Sequence, residues 1–526
     1  MAKAKVIKTV NKQESLIDDK IDKYFWLIIP VLTILYYWIS YISVGFYQDD
    51  EIAQYLNAIK FQVDPFSILG NNPKPGWKLF LIIPAMIDYK AVLMFNALVA
   101  SLAVFFTFKF LKEYKLNYAF FGALLLAVQP LFFDLSFRTY SEIFTALLIV
   151  IFLILYKREK YILAGLLIGF ILTIRQELII FAFVLFIIFL YKKKYIPAIA
   201  IAVFPIIYNL LGMIKTGDPL FVLTEMKAVA GLQYNSQGIF HYFKVYIFIV
   251  GPITLLLFLQ GFFGFFADTK NYKTYIEKYF LLYLLFITVF GVQMYTMMSN
   301  GPNPGNWRYL LHISPVAVLF ANIGFNNLSD NKFKRIHYFV TGLLFFLTLL
   351  FLSKESDGFR LLESDDYTKV AFITIFFVAT LLIPSKDKIA YLNKLSVVLI
   401  LVSILYLYVD FKPKKLSPEN QTVKTVAESL NSNELSGNFY TNHSVLLFYL
   451  DNYKKEPRKY LPINSKYFND IPKGSILVWE THYGYRPEFG NDIKIEDIQK
   501  NSDYKIINQY VSIDKRFAAY IIEKVN

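Results

Sequence analysis

Hydrophobic and polar positions fall into long blocks. Apolar runs occupy residues 24–44, 90–110, 117–134, 141–156, 161–174, 178–191, 195–211, 244–265, 279–298, 309–325, 337–353, 370–383 and 395–410. Each predicts a helix in a bilayer, about thirteen spans in all. Several are shorter than the ~20 residues a perpendicular span needs, so their ends must run into polar flanks, re-enter the membrane or be covered by neighbours. Inside the polar stretch 45–89, the run Leu79 to Ile87 is too short to cross and predicts an interfacial or re-entrant helix. Beyond residue 410 the period changes. Thr422 to Leu430 has a helical pattern, while Ser475 to Glu480, Tyr504 to Val511 and Arg516 to Lys524 read as strands. The fold class is therefore a polytopic α-helical membrane protein with a small C-terminal α/β or α+β soluble domain. It divides into an N-terminal segment 1–23, a transmembrane domain 24–410 and a soluble domain 411–526, joined at the Lys412-to-Pro418 linker.

Composition sharpens this picture. Of 526 residues, 56% are hydrophobic and only 18% charged, against ~25% charged in an average soluble domain. The net charge of +14 comes largely from short Lys clusters between apolar runs, where cytoplasmic loops carry it, so nucleic acid is not the expected partner. With residues 1–23 inside, the inside segments hold 24 Lys and Arg in 73 residues and the outside loops hold 11. That bias predicts a multi-pass protein of the plasma (inner) membrane, with a cytoplasmic N-terminus, the 45–89 loop outside and, for thirteen spans, an extracytoplasmic C-terminal domain. With no Cys in the chain, disulfides, thiolate metal sites and a Cys nucleophile are excluded.

Candidate chemistry collects on the predicted outer side. Asp49, Asp50 and Glu51 follow the first span and open an amphipathic helix. Such a cluster is either a solvated loop or a group of carboxylates suited to general base work or a divalent cation. Lys74 lies between two prolines in Asn71-Asn72-Pro73-Lys74-Pro75-Gly76-Trp77-Lys78. A lysine so restrained can meet a phosphate, and the same segment also reads as an interfacial Lys/Trp anchor. Further charges stand at span ends: Asp134, Arg138, Glu142, Arg175, Glu177 and Arg308. Charge at membrane depth is costly and tends to be paired or functional. Arg138 and Glu142, four apart, predict a mutual ion pair, as do Arg175 and Glu177.

Taken together, Asp50-Glu51, the Lys74-Pro75 turn, the Gly165-to-Gly169 run into Arg175-Gln176-Glu177, the Gly217-Asp218-Pro219-Leu220 loop and the Arg308-Tyr309 to Pro315 run resemble the GT-C membrane glycosyltransferases. The nearest branches are the protein O-mannosyltransferases and the lipid A aminoarabinose transferases, and the resemblance spans about residues 20–325. It implies a GT-C-like catalytic domain and an inverting transfer of a hexosyl or pentosyl group from a polyprenyl-phosphate donor. The acceptor would be a hydroxyl of a lipid, glycan or protein on the extracytoplasmic face. Carried onto this chain, it makes Asp50 the general base, with Glu51 and Asp49 as helpers or as ligands of a divalent cation (Mg or Mn). Lys74 would meet the donor phosphate, supported by Arg308 and also by Arg138 and Arg175, with Glu142 as the second acidic position and Tyr309 beside the site. The rival class is a transporter or flippase of a lipid-linked or sugar substrate, favoured by the many spans and disfavoured by the lack of an inverted repeat. A polysaccharide polymerase or ligase is the rival among enzymes.

Overall fold

In the computed structural model, the described residues are 23–70, 74–231, 234–266, 269–298, 301–328, 342–343, 345–346, 388–432, 438–450, 453, 459–487 and 490–526. Among these, six helices are long and apolar enough to cross a membrane: Phe25–Ile42, Tyr89–Glu113, Tyr195–Thr216, Tyr272–Met298, Trp307–Asn327 and Leu392–Asp410. The pair His241–Val250 and Pro252–Phe262, bent by 115°, makes a seventh if counted as one broken span. The expected run 117–134 is likewise interrupted, into Ala119–Ala127 and Pro130–Leu135, because Pro130 has no N–H to continue the helix. Tyr161–Leu172 is shorter than a bilayer is thick. The spans expected at 337–353 and 370–383 lie outside the described residues, apart from residues 342–343 and 345–346.

Without a hydrophobic driving force between helices in lipid, association relies on close backbone approach. The Gly165-to-Gly169 run shows how. A Cβ on Gly165 would lie 2.4 Å from the Pro197 carbonyl oxygen, and one on Gly169 would lie 2.3 Å from that of Ile201. Helix Tyr161–Leu172 therefore packs backbone to backbone on the segment that opens Tyr195–Thr216, which places the Arg175 turn at its end.

The short helix Pro75–Ile87 buries Trp77, Lys78, Leu81, Pro84 and Ala85 and turns Leu79, Phe80, Ile83, Met86 and Ile87 outward. At thirteen residues it is too short to span, as its sequence predicts.

The C-terminal domain is built on a mixed five-stranded sheet of β1 (Phe439–Thr441), β2 (Tyr460–Leu461), β3 (Ile476–Glu480), β4 (Tyr504–Val511) and β5 (Ala518–Lys524), in the order β2-β1-β3-β5-β4. β1 runs parallel to β2 and β3, and β5 lies antiparallel to β3 and β4. The helix expected at 422–430 is Pro418–Asn431, with Ser417 as N-cap. The sheet domain sits on the acidic helix Asp49–Lys60. Phe448 meets Phe46, Tyr55 and Tyr89, and the Asn420 amide donates to the Tyr47 carbonyl at 3.0 Å.

Candidate active site

The three adjacent acids separate by helical geometry. Their helix begins at Asp49, so all three lie in its first turn, where the dipole favours negative charge. Glu51, at the third position, turns back as a cap: its Oε1 accepts the Gln48 N–H at 3.2 Å and the Tyr47 N–H at 3.3 Å. The same oxygen accepts Arg138 Nη1 at 3.0 Å, and both side chains are fully buried. Burial pushes the Glu51 carboxyl up to about 7 against the pull of Arg138 and the two N–H groups. Arg138 also donates from Nε to the Asp134 carbonyl at 2.8 Å and covers the Tyr47 ring at 4.0 Å. This pair organises the loop. Removing either partner would strand a buried charge, at a cost of about 3–5 kcal/mol. The mutual pair expected between Arg138 and Glu142 does not form, because tertiary packing supplies each with a nearer partner.

Asp50 projects the other way. Its side chain is 60% exposed, and Oδ2 takes Arg308 Nη2 at 2.6 Å. Arg308 in turn lies with Nε 3.7 Å from Glu142 Oε1 and stacks 4.3 Å over the Tyr140 ring. Glu142 is fully buried and receives Arg175 Nη1 at 3.0 Å. Arg175 completes its fork on Glu177 and lies 5.3 Å from the Tyr309 ring centroid.

Lys74 closes this group, its Nζ 3.3 Å from Ser141 Oγ beside Glu142. Its backbone is left-handed (φ 54, ψ 74), a conformation that costs a non-glycine residue about 1–3 kcal/mol and is kept only where the surroundings enforce it. Those surroundings are the Trp77 indole, which donates to the Thr139 carbonyl at 2.9 Å, and the Thr139 hydroxyl, which donates to the Glu51 carbonyl at 2.8 Å. Burial first, and then Arg175, lower the Lys74 ammonium to about 8, while Glu142 opposes them.

Asp49 faces the C-terminal domain. Its Oδ2 accepts the Tyr483 hydroxyl at 2.5 Å. Ligand atoms of Asp49, Glu419 and His482 lie within 4.8 Å of one another, a group that can hold a metal ion. Of the three acids expected to serve as metal ligands, Asp49 lies in this group, while Asp50 and Glu51, turned about 100° and 200° away on the helix, pair with Arg308 and Arg138.

The chain matches no protein-family model and no curated protein. Solved structures do match. ArnT from Cupriavidus metallidurans bound to undecaprenyl phosphate aligns with a TM-score of 0.56 at 12% identity, over 95% of this chain and 98% of that one. The apo state of the same protein aligns at 0.59 and 10%, with equal coverage. The chain is similar in fold to ArnT. The likeness is one of fold, and at 95% coverage it takes in most of the C-terminal domain as well as the helices.

Several residues at this site carry no motif in the sequence. Lys78 is fully buried one turn below Lys74 and donates to the Gln54 side chain. Gln48 accepts the Tyr140 hydroxyl. His312 is fully buried, and neither ring nitrogen has a hydrogen-bond partner. Glu419, His443, His482 and Tyr483 come from the C-terminal domain. The available signal was the scarcity of histidine, five in the whole chain.

Proposed function

We propose that the protein transfers a sugar from a polyprenyl-phosphate donor to an acceptor hydroxyl of a lipid, glycan or protein, on the extracytoplasmic face of the plasma membrane. The observation that carries this reading is the Asp50–Arg308 pair. It joins an exposed carboxylate to a cation that belongs, with Lys74 and Arg175, to a cluster at one end of an ArnT-like bundle. Lys74, Arg175 and Arg308 are balanced by Glu142, Glu177 and Asp50, and of these acids Asp50 is the most exposed.

A donor phosphate arriving at Arg308 and Lys74 competes with Asp50 for the guanidinium, and the freed carboxylate becomes available as a base. In the reaction the acceptor oxygen bonds to C1 of the sugar while the C1–O bond to phosphate breaks, inverting the anomeric carbon. The acceptor proton goes to Asp50, and the leaving phosphate keeps the bonding pair, its charge met by Arg308 and Lys74. Arg175 and Glu142 hold these cations in place, and the buried Glu51–Arg138 pair keeps the acidic helix in register.

The test offers purified protein a polyprenyl-phosphate sugar with candidate acceptors. Transfer, or slow donor hydrolysis, is the expected result, falling ~10²- to 10⁴-fold in Asp50→Asn. Vesicle uptake of the sugar without bond cleavage would replace this reading with transport.

A further inference from the structure

We propose that Asp49, Glu419 and His482 form a site for one divalent transition ion of the zinc class, which fastens the C-terminal domain onto the acidic helix. The residues belong to three elements: the first turn of Asp49–Lys60, the first turn of Pro418–Asn431 and the turn that follows β3. Their ligand atoms all lie within 4.8 Å of one another. His482 Nδ1 and Glu419 Oε1 are 2.6 Å apart, sharing a proton where an ion would sit. Ligand atoms around a tetrahedral ion with bonds of ~2.0–2.2 Å stand about 3.3–3.6 Å apart. The group needs to open at the His482–Glu419 edge, and no other edge exceeds 4.8 Å.

Its surroundings are those of a prepared site. Metal ligands are usually oriented by outer hydrogen bonds, and here both carboxylates have one. His443, fully buried, directs Nε2 to Glu419 Oε1 at 3.1 Å, and its Nδ1 has no hydrogen-bond partner. Tyr483 donates to Asp49 at 2.5 Å. Buried Glu480 clamps the turn that carries His482, accepting the His482 N–H at 2.6 Å and the Tyr483 N–H at 2.9 Å. The His482 ring stacks on Tyr483 at 4.0 Å between centroids. An imidazole with two carboxylates suits zinc and its neighbours, whereas magnesium and calcium prefer oxygen throughout. A water is left for the fourth position. The ion would bind one residue from Asp50 and hold the start of its helix, a positioning role that assumes nothing about sugar transfer.

The test uses the full chain, purified without a polyhistidine tag and stripped with chelator. The chain is then given ZnCl2, or MgCl2 for comparison, and desalted. Metal content is read by mass spectrometry, and hydrogen exchange is followed over residues 480–486. About one zinc per chain should remain, with slower exchange over that turn, and magnesium should do neither. His482→Ala and Glu419→Gln should each weaken zinc binding at least tenfold. Asp49→Asn, which leaves the C-terminal domain intact, guards against misfolding of the other two and should weaken binding similarly. Failure to retain zinc, equal retention in Asp49→Asn, or magnesium held as firmly as zinc would each overturn the site.

Discussion

At the residue scale, the same element of charge does different work according to what surrounds it. Glu51 and Asp50 are neighbours, yet one is buried as a cap with Arg138 and the other is exposed against Arg308. Lys74 is the residue whose environment yields a measurable pH signature. Burial lowers its ammonium to about 8, so a rate that depends on its charge should fall as pH rises through about 8, approaching tenfold per unit. The titration of Lys74 itself does not destabilise the fold over that range. Between about 8 and the ordinary ~10.4 of a lysine, the unfolded chain binds more protons than the folded one, so rising pH favours the folded state. A pH–rate profile of Lys74→Arg should lose this alkaline limb, because a guanidinium keeps its proton throughout, and should run at a lower plateau. A limb that persists near 8 in Lys74→Arg would assign it to another group.

At the element scale, Pro75–Ile87 places Lys74 by fitting tightly against the Arg175 turn. A Cβ on Gly76 would lie 2.3 Å from Thr173 Oγ1 and 2.6 Å from Ile174 Cγ1, two residues that lead directly into Arg175. Gly76→Ala should therefore push the two cation-bearing elements apart. The expected loss is about 1–3 kcal/mol of stability from overpacking, seen as a lower unfolding midpoint in detergent, together with reduced transfer. Met86→Ala, on the outward face of the same helix, should leave the midpoint nearly unchanged. Equal midpoints for the two variants would mean that the helix adjusts without cost. That this helix is too short to span and ends at Ile87 was legible from the run Leu79 to Ile87, whereas its start at Pro75 was not. The close approach at Gly76 was not, because the opposing residues lie nearly a hundred positions away.

For the whole molecule, the Tyr483–Asp49 contact joins residues 434 positions apart. It places the C-terminal domain and the 45–89 loop on one side of the bundle whatever the number of spans. Counting apolar runs could not do this, since a single error reverses the side. The absence of native cysteine makes the matter testable. Asn71→Cys and Ile513→Cys, the latter at a side chain 93% exposed, should both react with an impermeant maleimide in intact cells. Labelling of one in intact cells and of the other only after lysis would contradict the docking. Labelling of both only after lysis would reverse the orientation.

The sequence by itself determined the membrane character, the change to a mixed helix and sheet domain near residue 410, and strands β3, β4 and β5. These follow from local period and hydrophobicity, which neighbouring residues express together. β1 and β2 escaped because three- and two-residue strands are too short to show a period. Charges at span ends also stood out, since such charges are rare enough to be conspicuous. The Arg175–Glu177 pair was local enough to read from the sequence, but only the tertiary structure decided the long-range partners: Arg138 with Glu51, Glu142 with Arg175, Asp50 with Arg308, and Asp49 with Tyr483. A charged side chain takes whichever partner the packing brings within about 3 Å, and across distant elements that choice depends on how they meet, which no local pattern encodes.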